Sequence, residues 1–541
     1  MLPNRLLPTA EILIIIVLAC IPLFATSPYR LNIFLSWEGA YRLYLGQVPY
    51  RDFGMPVGYM YWVIPAFFFK IFGPQLITLV KAQVFINILG ALAFRSILIS
   101  VGLQSASRFA AILLFCLSYS FFNFWPWYNH TVIVYELIAL AFLFRYLFDT
   151  RRRVLFLVLA GVFVFFSFFT KQDGGGLAFV LCVAILLYEA ITKKKWGPIG
   201  IFIGSFLITG LPMILPFAKY NFGYWFNYGQ WPHASRVSLS DIISEFLSAS
   251  HWLKFYLLII VLLLTAKVSG GWKPFIADRR QVIFSLLVLG ILAEAAIFQV
   301  TSYVPVDNNI FFHSFAIAFI LFLLLPYLPV NQESWKLVLV CSAGIVLWWS
   351  QVYWRYVERF FRQPKAYATT SYGGYQYAGE VNRNTYMIDL DTTDIPMNEW
   401  RTPNLNTFQK ILLPNPTVDG IERLMNLDIV KGKKNLKVLN MTELTPLAAE
   451  IPFELEANTH YPLWYHKGVG MFDKETNMFC DRINKGYYDL VLYEYIPYLN
   501  NFYPYEVRSC LEKNYLKIDS FPAPRNPTPH AWVEVYRKVQ R

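Results

Sequence analysis

Residues 151–176 read RRRVLFLVLAGVFVFFSFFTKQDGGG, and this stretch contains the pattern that decides the fold. Three arginines come first, then about 17 uncharged residues at 154–170, and then the polar, glycine-rich segment 171–176. A helix of that length extends roughly 26 Å, close to the thickness of the hydrocarbon core of a bilayer. Because basic residues collect in cytoplasmic loops, the arginines predict the inner end of a transmembrane helix. The segment 171–176 is therefore expected on the outer side.

Similar apolar runs recur along the first two thirds of the chain, so we predict about eleven transmembrane helices. The other runs lie at 12–25, 76–99, 109–124, 132–148, 177–191, 199–217, 253–266, 282–300, 310–325 and 335–353. The first run follows Arg5 and is predicted to be a retained helix with a cytoplasmic N-terminus, not a cleaved signal. If residues 59–72 also crossed the membrane, every later loop would change sides and the basic clusters would lie outside the cell. We therefore predict that this run is a helix lying at the membrane interface.

The composition of the whole chain agrees with a membrane protein. Of 541 residues, 56% are hydrophobic and only 15% are charged, whereas soluble domains carry about 25% charged residues. The formal net charge of +12 would suit a nucleic-acid partner, but much of it lies in short loops between apolar runs, at 151–153, 193–195 and 267–280. Such clusters set the topology of a membrane protein. We therefore expect contact with membrane lipids and no nucleic-acid partner.

The character of the chain changes after the last apolar run. Charges become dispersed, strand candidates lie at 437–439 and 488–494, and a helix candidate lies at 505–514. We predict a transmembrane all-α domain at 1–355 and an extracytoplasmic soluble α/β domain at 356–541. The expected location is the cell inner, or plasma, membrane. An exported domain would also permit a disulfide between its two cysteines, Cys480 and Cys510.

The first outer loop is the segment richest in candidate site residues. It contains SWEGAYRLYLGQVPYRDFGMPVGY at 36–59, in which Trp37, Tyr41 and Tyr44 have a helical spacing that could seat a helix on the bilayer surface. Glu38 lies on a neighbouring part of that surface. A carboxylate at the membrane boundary is partly desolvated, which raises its pKa and makes it a better base.

This loop resembles the first outer loop of GT-C glycosyltransferases, which use polyprenyl-phosphate sugars. Protein O-mannosyltransferases and lipid A aminoarabinose transferases are examples. The stretches that carry the resemblance are WEGAYRLYLGQVPYRDF and GYMYWVIPAFFFKIFGPQLITLVKAQ. Many members have Asp before Glu where this chain has Trp37 before Glu38. The resemblance therefore implies that either Glu38 or Asp52 takes the place of the catalytic acid, and Glu38 is favoured. Alternatively, both carboxylates only cap helices and pair with Arg42 or Arg51.

The resemblance also implies residues that bind the phosphate of the donor. These candidates are Arg42, Lys171, Gln172 and His313. Lys171 would place a cation at headgroup depth, and the glycines after it would let a ligand approach closely. The alternative is a lysine that reaches to the interface beside a tight turn. His313 follows the polar residues 307–309, and a lone histidine in an apolar setting is more often a structural group.

A third set of candidates would contact the acceptor or support the site. Tyr128, Asn129 and His130 precede the fourth span, where related enzymes often contact donor or acceptor. Glu136 lies about two turns further into the membrane, where a carboxylate faces the bundle interior or a wet cavity. Glu294 is similar, with a structural contact favoured. Nucleotide-binding and zinc motifs are absent from the sequence. We therefore expect no cofactor and no metal ion; the polyprenyl-phosphate sugar is the donor substrate.

The function that the resemblance implies is an inverting glycosyl transfer on the outer face of the membrane. Glu38 would take the proton of the attacking hydroxyl of a lipid, glycan or protein acceptor, while polyprenyl phosphate leaves from the opposite face. Two alternatives stay open. A polytopic lipid or polysaccharide transporter would show inverted repeats and polar residues at mid-membrane, and the sequence shows no repeat. A membrane anchor would act through a partner-binding C-terminal domain.

Overall fold

The computed structural model describes most of the chain, and the described residues fall into two compact units. They are residues 6–29, 33–120, 124–149, 151–220, 222–226, 239–302, 310–331, 333–357, 395, 399–432, 435–451, 453–458, 461–463, 465, 471–496, 503–524 and 531–539. The helical unit comprises Met1–Pro22, Gln83–Leu215 and Arg236–Glu358. The mixed unit comprises Leu23–Ala82, Pro216–Ser235 and Arg359–Arg541.

Helices account for nearly all regular structure before residue 358. They are α1 (Leu6–Cys20), α2 (Ile33–Tyr44), α3 (Met60–Phe72), α4 (Leu76–Ser100), α5 (Ser105–Phe115), α6 (Tyr128–Phe148), α7 (Arg153–Phe168), α8 (Gln172–Lys193), α9 (Gly197–Ile214), α10 (Gly223–Phe226), α11 (Leu239–Ser248), α12 (His251–Val268), α13 (Trp272–Ala277), α14 (Arg279–Ser302), α15 (Ile310–Leu324) and α16 (Trp335–Val357).

Seven helical segments of the described residues are long and apolar enough to cross a membrane. They are Leu6–Phe24, Leu76–Ser100, Tyr128–Phe148, Gln172–Lys193, Gly197–Phe217, His251–Val268 and Arg279–Thr301. Shorter apolar helices occupy the other four predicted runs, at Ser105–Ser118, Arg153–Phe168, Phe311–Tyr327 and Trp335–Ser350. The prediction of a helical, multi-pass membrane protein is confirmed. Helix α3 has 13 residues and is roughly 20 Å long, too short to cross a bilayer core.

A buried ion cluster holds the first helix in the helical unit. Glu11 in α1 has no exposed side-chain surface, and its two oxygens accept hydrogen bonds from Arg95 Nε at 2.7 Å and Arg108 Nε at 2.8 Å. Arg108 also donates to the carbonyl of Leu103. Buried charges are tolerated when they are paired and hydrogen-bonded. The cluster therefore ties α1 to α4 and α5.

The mixed unit contains α2, α3 and a C-terminal α/β domain. The further elements of that unit are the helices α17 (Asn415–Met425), α18 (Asp428–Gly432), α19 (Phe472–Asn484) and α20 (Tyr505–Asn514) and the strands β1 (Ser27–Pro28), β2 (Trp400–Arg401), β3 (Ile411–Pro414), β4 (Val438–Met441), β5 (Leu490–Tyr495), β6 (Tyr515–Pro522) and β7 (Trp532–Lys538). A disulfide joins Cys480 in α19 to Cys510 in α20.

Two sheets organise this domain. The larger has the strand order β4-β5-β7-β6, with β4 and β5 parallel and the other pairs antiparallel. Strand β5 reads LVLYEY and is almost wholly buried, as expected for a central strand. The smaller sheet has the order β1-β3-β2, so strand β1 pairs with a strand near residue 411. The predicted C-terminal α/β domain is confirmed, including the strands near 437–439 and 488–494 and the helix at 505–514.

Replacing Glu11 by Gln should destabilise the helical unit. The variant leaves Arg95 and Arg108 without a carboxylate partner, which costs about 3 kcal/mol when a buried pair is broken. Thermal unfolding of the purified protein in detergent measures the loss. The control is Glu422→Gln, which removes an exposed pair with Arg401 and should cost less than about 1 kcal/mol. Equal shifts for the two variants would contradict a structural role for the cluster.

Candidate active site

Helix α2 is fixed against α3 by a close contact at Gly39. A Cβ atom at Gly39 would lie 2.0 Å from Cε2 of Trp62, so only glycine fits under that indole ring. The same indole donates from Nε1 to the carbonyl of Leu35 at 3.0 Å. Trp37 in turn donates to the carbonyl of Pro74 at 2.8 Å. These contacts set the position of the next polar side chain on the helix, Glu38.

Glu38 forms a buried ion pair with Arg42, one helical turn away. Arg42 donates from Nε at 2.9 Å and from Nη2 at 2.8 Å, both to Oε1 of Glu38. The Glu38 side chain is 9% exposed and that of Arg42 is fully buried. Within the described part of the chain, Oε2 of Glu38 accepts no hydrogen bond, and the residue borders a small cavity. One oxygen is therefore held, and the other can accept a proton.

The remaining donors of Arg42 bind other parts of the mixed unit. Its Nη1 donates to Oε1 of Gln47 at 2.7 Å and to the carbonyl of Glu456 at 2.9 Å. The guanidinium also lies over the rings of Phe53, 5.3 Å from the centroid, and Tyr461, 4.7 Å from the centroid. Arg42 thus connects the first outer loop to the C-terminal domain, while its role in phosphate binding stays a prediction.

The surroundings make Glu38 a better base than an exposed glutamate. Burial raises the pKa of Glu38, and the nearby charge and hydrogen bonds of Arg42 offset part of that rise. The expected direction of this pKa shift is found. Residues of the C-terminal domain line the cavity beside the carboxylate and contribute to that burial.

Asp52 has a different environment. Its carboxylate accepts from the Val48 amide at 2.7 Å and from Arg51 Nε and Nη2 at 2.7 and 2.6 Å. The hydrogen bonds from Arg51 are the main reason that the pKa of Asp52 is lowered. The Asp52 carbonyl also accepts from the Asn458 amide at 2.6 Å. These contacts stabilise a turn, and the choice between Glu38 and Asp52 as the base stays a prediction.

In the helical unit, Lys171 directly precedes α8 and is almost completely buried. Its Nζ lies 3.1 Å from Oδ2 of Asp173, 4.8 Å from the ring centroid of Phe298 and 5.6 Å from that of Tyr128. A side chain that is 1% exposed does not extend along the protein surface, so the alternative of a surface-reaching lysine does not describe this geometry. Gln172 is the first residue of α8 and is half-buried.

Two of the three glycines after Lys171, Gly174 and Gly175, serve helix packing. A Cβ atom at Gly174 would lie 2.8 Å from the Phe298 ring, and one at Gly175 would lie 2.1 Å from the backbone of Phe168. Close approach is indeed required at both positions. The neighbours that approach are helices α7 and α14, and approach of a ligand to this segment stays a prediction.

The residues at the start of α6 divide between two environments. Tyr128 lies near Lys171, whereas His130 is buried with its Nδ1 3.2 Å from Nε2 of Gln83. Oδ1 of Asn129 is buried and has no hydrogen-bond partner among the residues with described positions. Glu136 is fully buried in the bundle interior. These residues stay predictions for acceptor contact or support of the site.

Glu136 has a carboxyl neighbour on another helix. The side chain of Glu294 in α14 lies beside it, and both groups are buried. Among the described residues, no group of three or more His, Cys, Asp or Glu side chains could hold a metal ion.

His313 lies in an aromatic environment on α15. Its Nδ1 is 2.9 Å from the hydroxyl of Tyr256, and its ring packs edge-on against Trp349 and stacks on Phe312. The residue is 1% exposed. This geometry fits the structural alternative, and phosphate binding by His313 stays a prediction. The preceding residues 307–309 lie outside the described residues.

Sequence reasoning missed several residues that surround Glu38. Glu456 and Tyr461 come from the C-terminal domain, more than 400 positions away from α2 in the chain. Long-range pairing of this kind leaves no periodic pattern in the sequence.

Comparison with known proteins finds similarity in structure only. No family model matches the chain, and no curated protein matches it. The chain is similar to ArnT from Cupriavidus metallidurans bound to undecaprenyl phosphate, with a TM-score of 0.40, 12% identity and coverage of 63% of each chain. It is also similar to the same protein in the apo state, with a TM-score of 0.40, 14% identity and coverage of 64% of each chain.

These structural neighbours are lipid A aminoarabinose transferases with the GT-C fold, one of the classes that the first outer loop resembles in sequence. The chain spans slightly less than two thirds of the length of the solved structures that it matches. At this TM-score the likeness assigns no role to any residue of the chain.

Carbodiimide labelling should detect the raised pKa of Glu38. Carbodiimides react with protonated carboxyl groups, and a raised pKa keeps Glu38 protonated to a higher pH. We expect labelling of Glu38, followed by peptide mass spectrometry, to decline at a higher pH than labelling of a glutamate in a short unstructured peptide, whose pKa is about 4.3. Arg42→Gln should move the decline of Glu38 labelling further upward, because Arg42 lowers that pKa. A decline at the same pH for Glu38 and the peptide glutamate would contradict the raised pKa.

Proposed function

We propose that this protein is an inverting glycosyltransferase that moves a sugar from a polyprenyl-phosphate donor to a lipid, glycan or protein acceptor on the outer face of the membrane. The observation that carries the proposal is the state of Glu38. A buried carboxylate, held through one oxygen by Arg42 and with a raised pKa, has the properties of a general base. It lies in the loop whose sequence resembles polyprenyl-phosphate-dependent transferases.

The reaction needs one base and a good leaving group. Oε2 of Glu38 takes the proton from the attacking hydroxyl while the oxygen forms a bond to the anomeric carbon. The bond from that carbon to the phosphate oxygen breaks, and polyprenyl phosphate leaves with the electron pair. Because phosphate leaves readily, a second carboxyl group is not required as an acid, in contrast to a glycosidase pair.

The placement of the ends of the helices supports an outer-face reaction. Helix α7 starts at the arginine cluster 151–153 and α8 ends at the lysine cluster 193–195, so both clusters mark the cytoplasmic ends of their helices by the positive-inside rule. Lys171 lies between the opposite ends of the two helices. The disulfide between Cys480 and Cys510 supports an extracytoplasmic C-terminal domain, because such bonds persist in oxidising compartments. The proposed location is the inner, or plasma, membrane.

We include Lys171, Gln172 and His313 in the proposal as residues that bind the donor phosphate in the helical unit. Lys171 is the best supported of the three. An ammonium group has three donors, so Lys171 can keep its contact with Asp173 and bind a phosphate oxygen as well. The proposal requires no metal ion and no further cofactor.

Lys171→Gln should weaken donor binding. Loss of a charge-assisted hydrogen bond raises the KM for the donor by about 10- to 100-fold and lowers kcat less. Competition by undecaprenyl phosphate measures the effect, with Lys336→Gln as an exposed control on α16. The double variant Lys171→Gln with Asp173→Asn removes both charges of the Lys171–Asp173 ion pair and should not restore donor affinity. Unchanged donor affinity in a stable double variant would exclude Lys171 from the donor site.

Glu38→Gln should reduce kcat by roughly 100-fold or more with little change in the KM for the donor, because it removes the base and keeps the hydrogen-bond acceptor for Arg42. Asp52→Asn serves as the matched control and should keep most of the activity. The assay measures transfer from a panel of radiolabelled undecaprenyl-phosphate sugars to acceptors in native membranes.

Each other outcome of this assay has a defined meaning. Loss of transfer only in Asp52→Asn would make Asp52 the base. Unchanged transfer in both variants would remove the carboxylate mechanism. Movement of a lipid-linked sugar across the membrane by the wild type, without transfer, would favour the transporter alternative.

A further inference from the structure

A small cavity in the mixed unit lies beside Glu38 and is otherwise walled by the C-terminal domain. It has room for about one water molecule. Its polar walls are Asn440, Thr445, Glu456 and Tyr461. Asn440 lies near the carboxyl end of β4, which pairs in parallel with β5. The carboxyl ends of parallel strands are where open α/β sheets place their ligands.

The polar groups around the cavity are held in place by further contacts. One oxygen of Glu456 accepts from the Tyr488 hydroxyl at 2.9 Å, and its carboxylate also pairs with Arg482. The Asn440 amide donates to the carbonyl of Leu444 at 3.1 Å. Such contacts reduce the conformational entropy lost when a ligand binds.

The hydroxyl of Tyr461 remains a hydrogen-bond donor at neutral pH. Burial, with a smaller effect of the Glu38 charge, raises the pKa of Tyr461 to about 12. Its ring lies against Arg42, so its position depends on the same guanidinium that orients Glu38. A phenol and a carboxylate at one cavity suit a group that both accepts and donates a hydrogen bond.

The charges around the cavity select against an anion. Glu38 and Glu456 both border it, and the arginine next to each one already forms an ion pair with that carboxylate. Among the described residues that line the cavity there is no lysine or arginine. A phosphate bound there would be repelled by the two carboxylates, and no further positive charge among these residues would offset that repulsion. A neutral hydroxyl can instead donate its proton to Oε2 of Glu38.

We propose that this cavity binds the attacking hydroxyl of the acceptor and that the acceptor group is a neutral hydroxyl rather than a phosphate. The inference rests on the proposed function. Glu38 accepts the proton as the O–H bond breaks and the new bond to the anomeric carbon forms, and polyprenyl phosphate departs with the electron pair. Tyr461 and Asn440 hydrogen-bond the attacking oxygen, so the C-terminal domain selects the acceptor.

Two acceptor probes of equal chain length test the chemical class. The full-length protein in lipid nanodiscs is given the panel of undecaprenyl-phosphate sugars with either octyl glucoside or octyl phosphate. We expect transfer to octyl glucoside at least about tenfold faster than transfer to octyl phosphate. Hydrolysis of the donor, in which water is the acceptor and free sugar is released, is measured in parallel. It reports whether the protein uses the donor when no other acceptor is added.

Variants at the cavity separate acceptor binding from donor binding. Tyr461→Phe should raise the KM for octyl glucoside about five- to tenfold, as for one lost hydrogen bond, and leave the KM for the donor unchanged. Tyr487→Phe is the matched control on a half-exposed ring. Ala448→Val narrows the cavity without touching Glu38 and should lower transfer to octyl glucoside more than sugar release to water.

The possible results distinguish this inference from the proposed function. Transfer to octyl phosphate at a rate equal to or above that to octyl glucoside overturns the inference and leaves the proposed function standing. An unchanged KM for octyl glucoside in both Tyr461→Phe and Ala448→Val does the same. If Tyr461→Phe fails to fold, the Ala448→Val result decides. No sugar release or transfer by the wild type from any donor overturns the proposed function and the inference together.

Discussion

The buried ion pair between Glu38 and Arg42 is the interaction on which the proposed site depends. A guanidinium inside a protein is tolerated when nearly all of its donors are satisfied. Here Glu38 takes two hydrogen bonds, and Gln47 and the Glu456 carbonyl take two more. The Arg42 side chain therefore fixes the orientation of Glu38, the turn after α2 and a segment of the C-terminal domain. Burial of Glu38 also explains why the pKa of this carboxylate is raised although it is paired with Arg42.

The architecture could be predicted because its signals are local. A long apolar run specifies a transmembrane helix from its length alone, and the predicted runs all correspond to described helices. For residues 59–72 the choice was between a transmembrane and an interfacial helix. The helix has only 13 residues, which is too short to cross a bilayer core. The strands and the helix of the C-terminal domain could also be predicted. Their signals, which are β-branched and aromatic residues and the alternation of apolar with polar residues, each extend over only a few neighbouring positions.

Much of the detail of the site could not be predicted. The sequence indicated Glu38 from its place in the first outer loop, but it gave no sign that Glu456 and Tyr461 would border the same cavity. Packing partners that are distant in sequence are determined by the tertiary fold. The glycines after Lys171 show a second limit, because a requirement for close approach does not reveal whether a ligand or a neighbouring helix approaches.

The bond from Arg42 to the Glu456 carbonyl joins residues 414 positions apart, and strand β1 is paired with β3 over a similar separation. A chain emerging from the ribosome exposes its first loop long before these partners exist. The carboxylate is thus oriented only after nearly the whole polypeptide has been made and inserted. Unfinished or prematurely terminated chains consequently lack the environment that buries and orients the Glu38 carboxylate, which couples assembly of the proposed site to completion of synthesis.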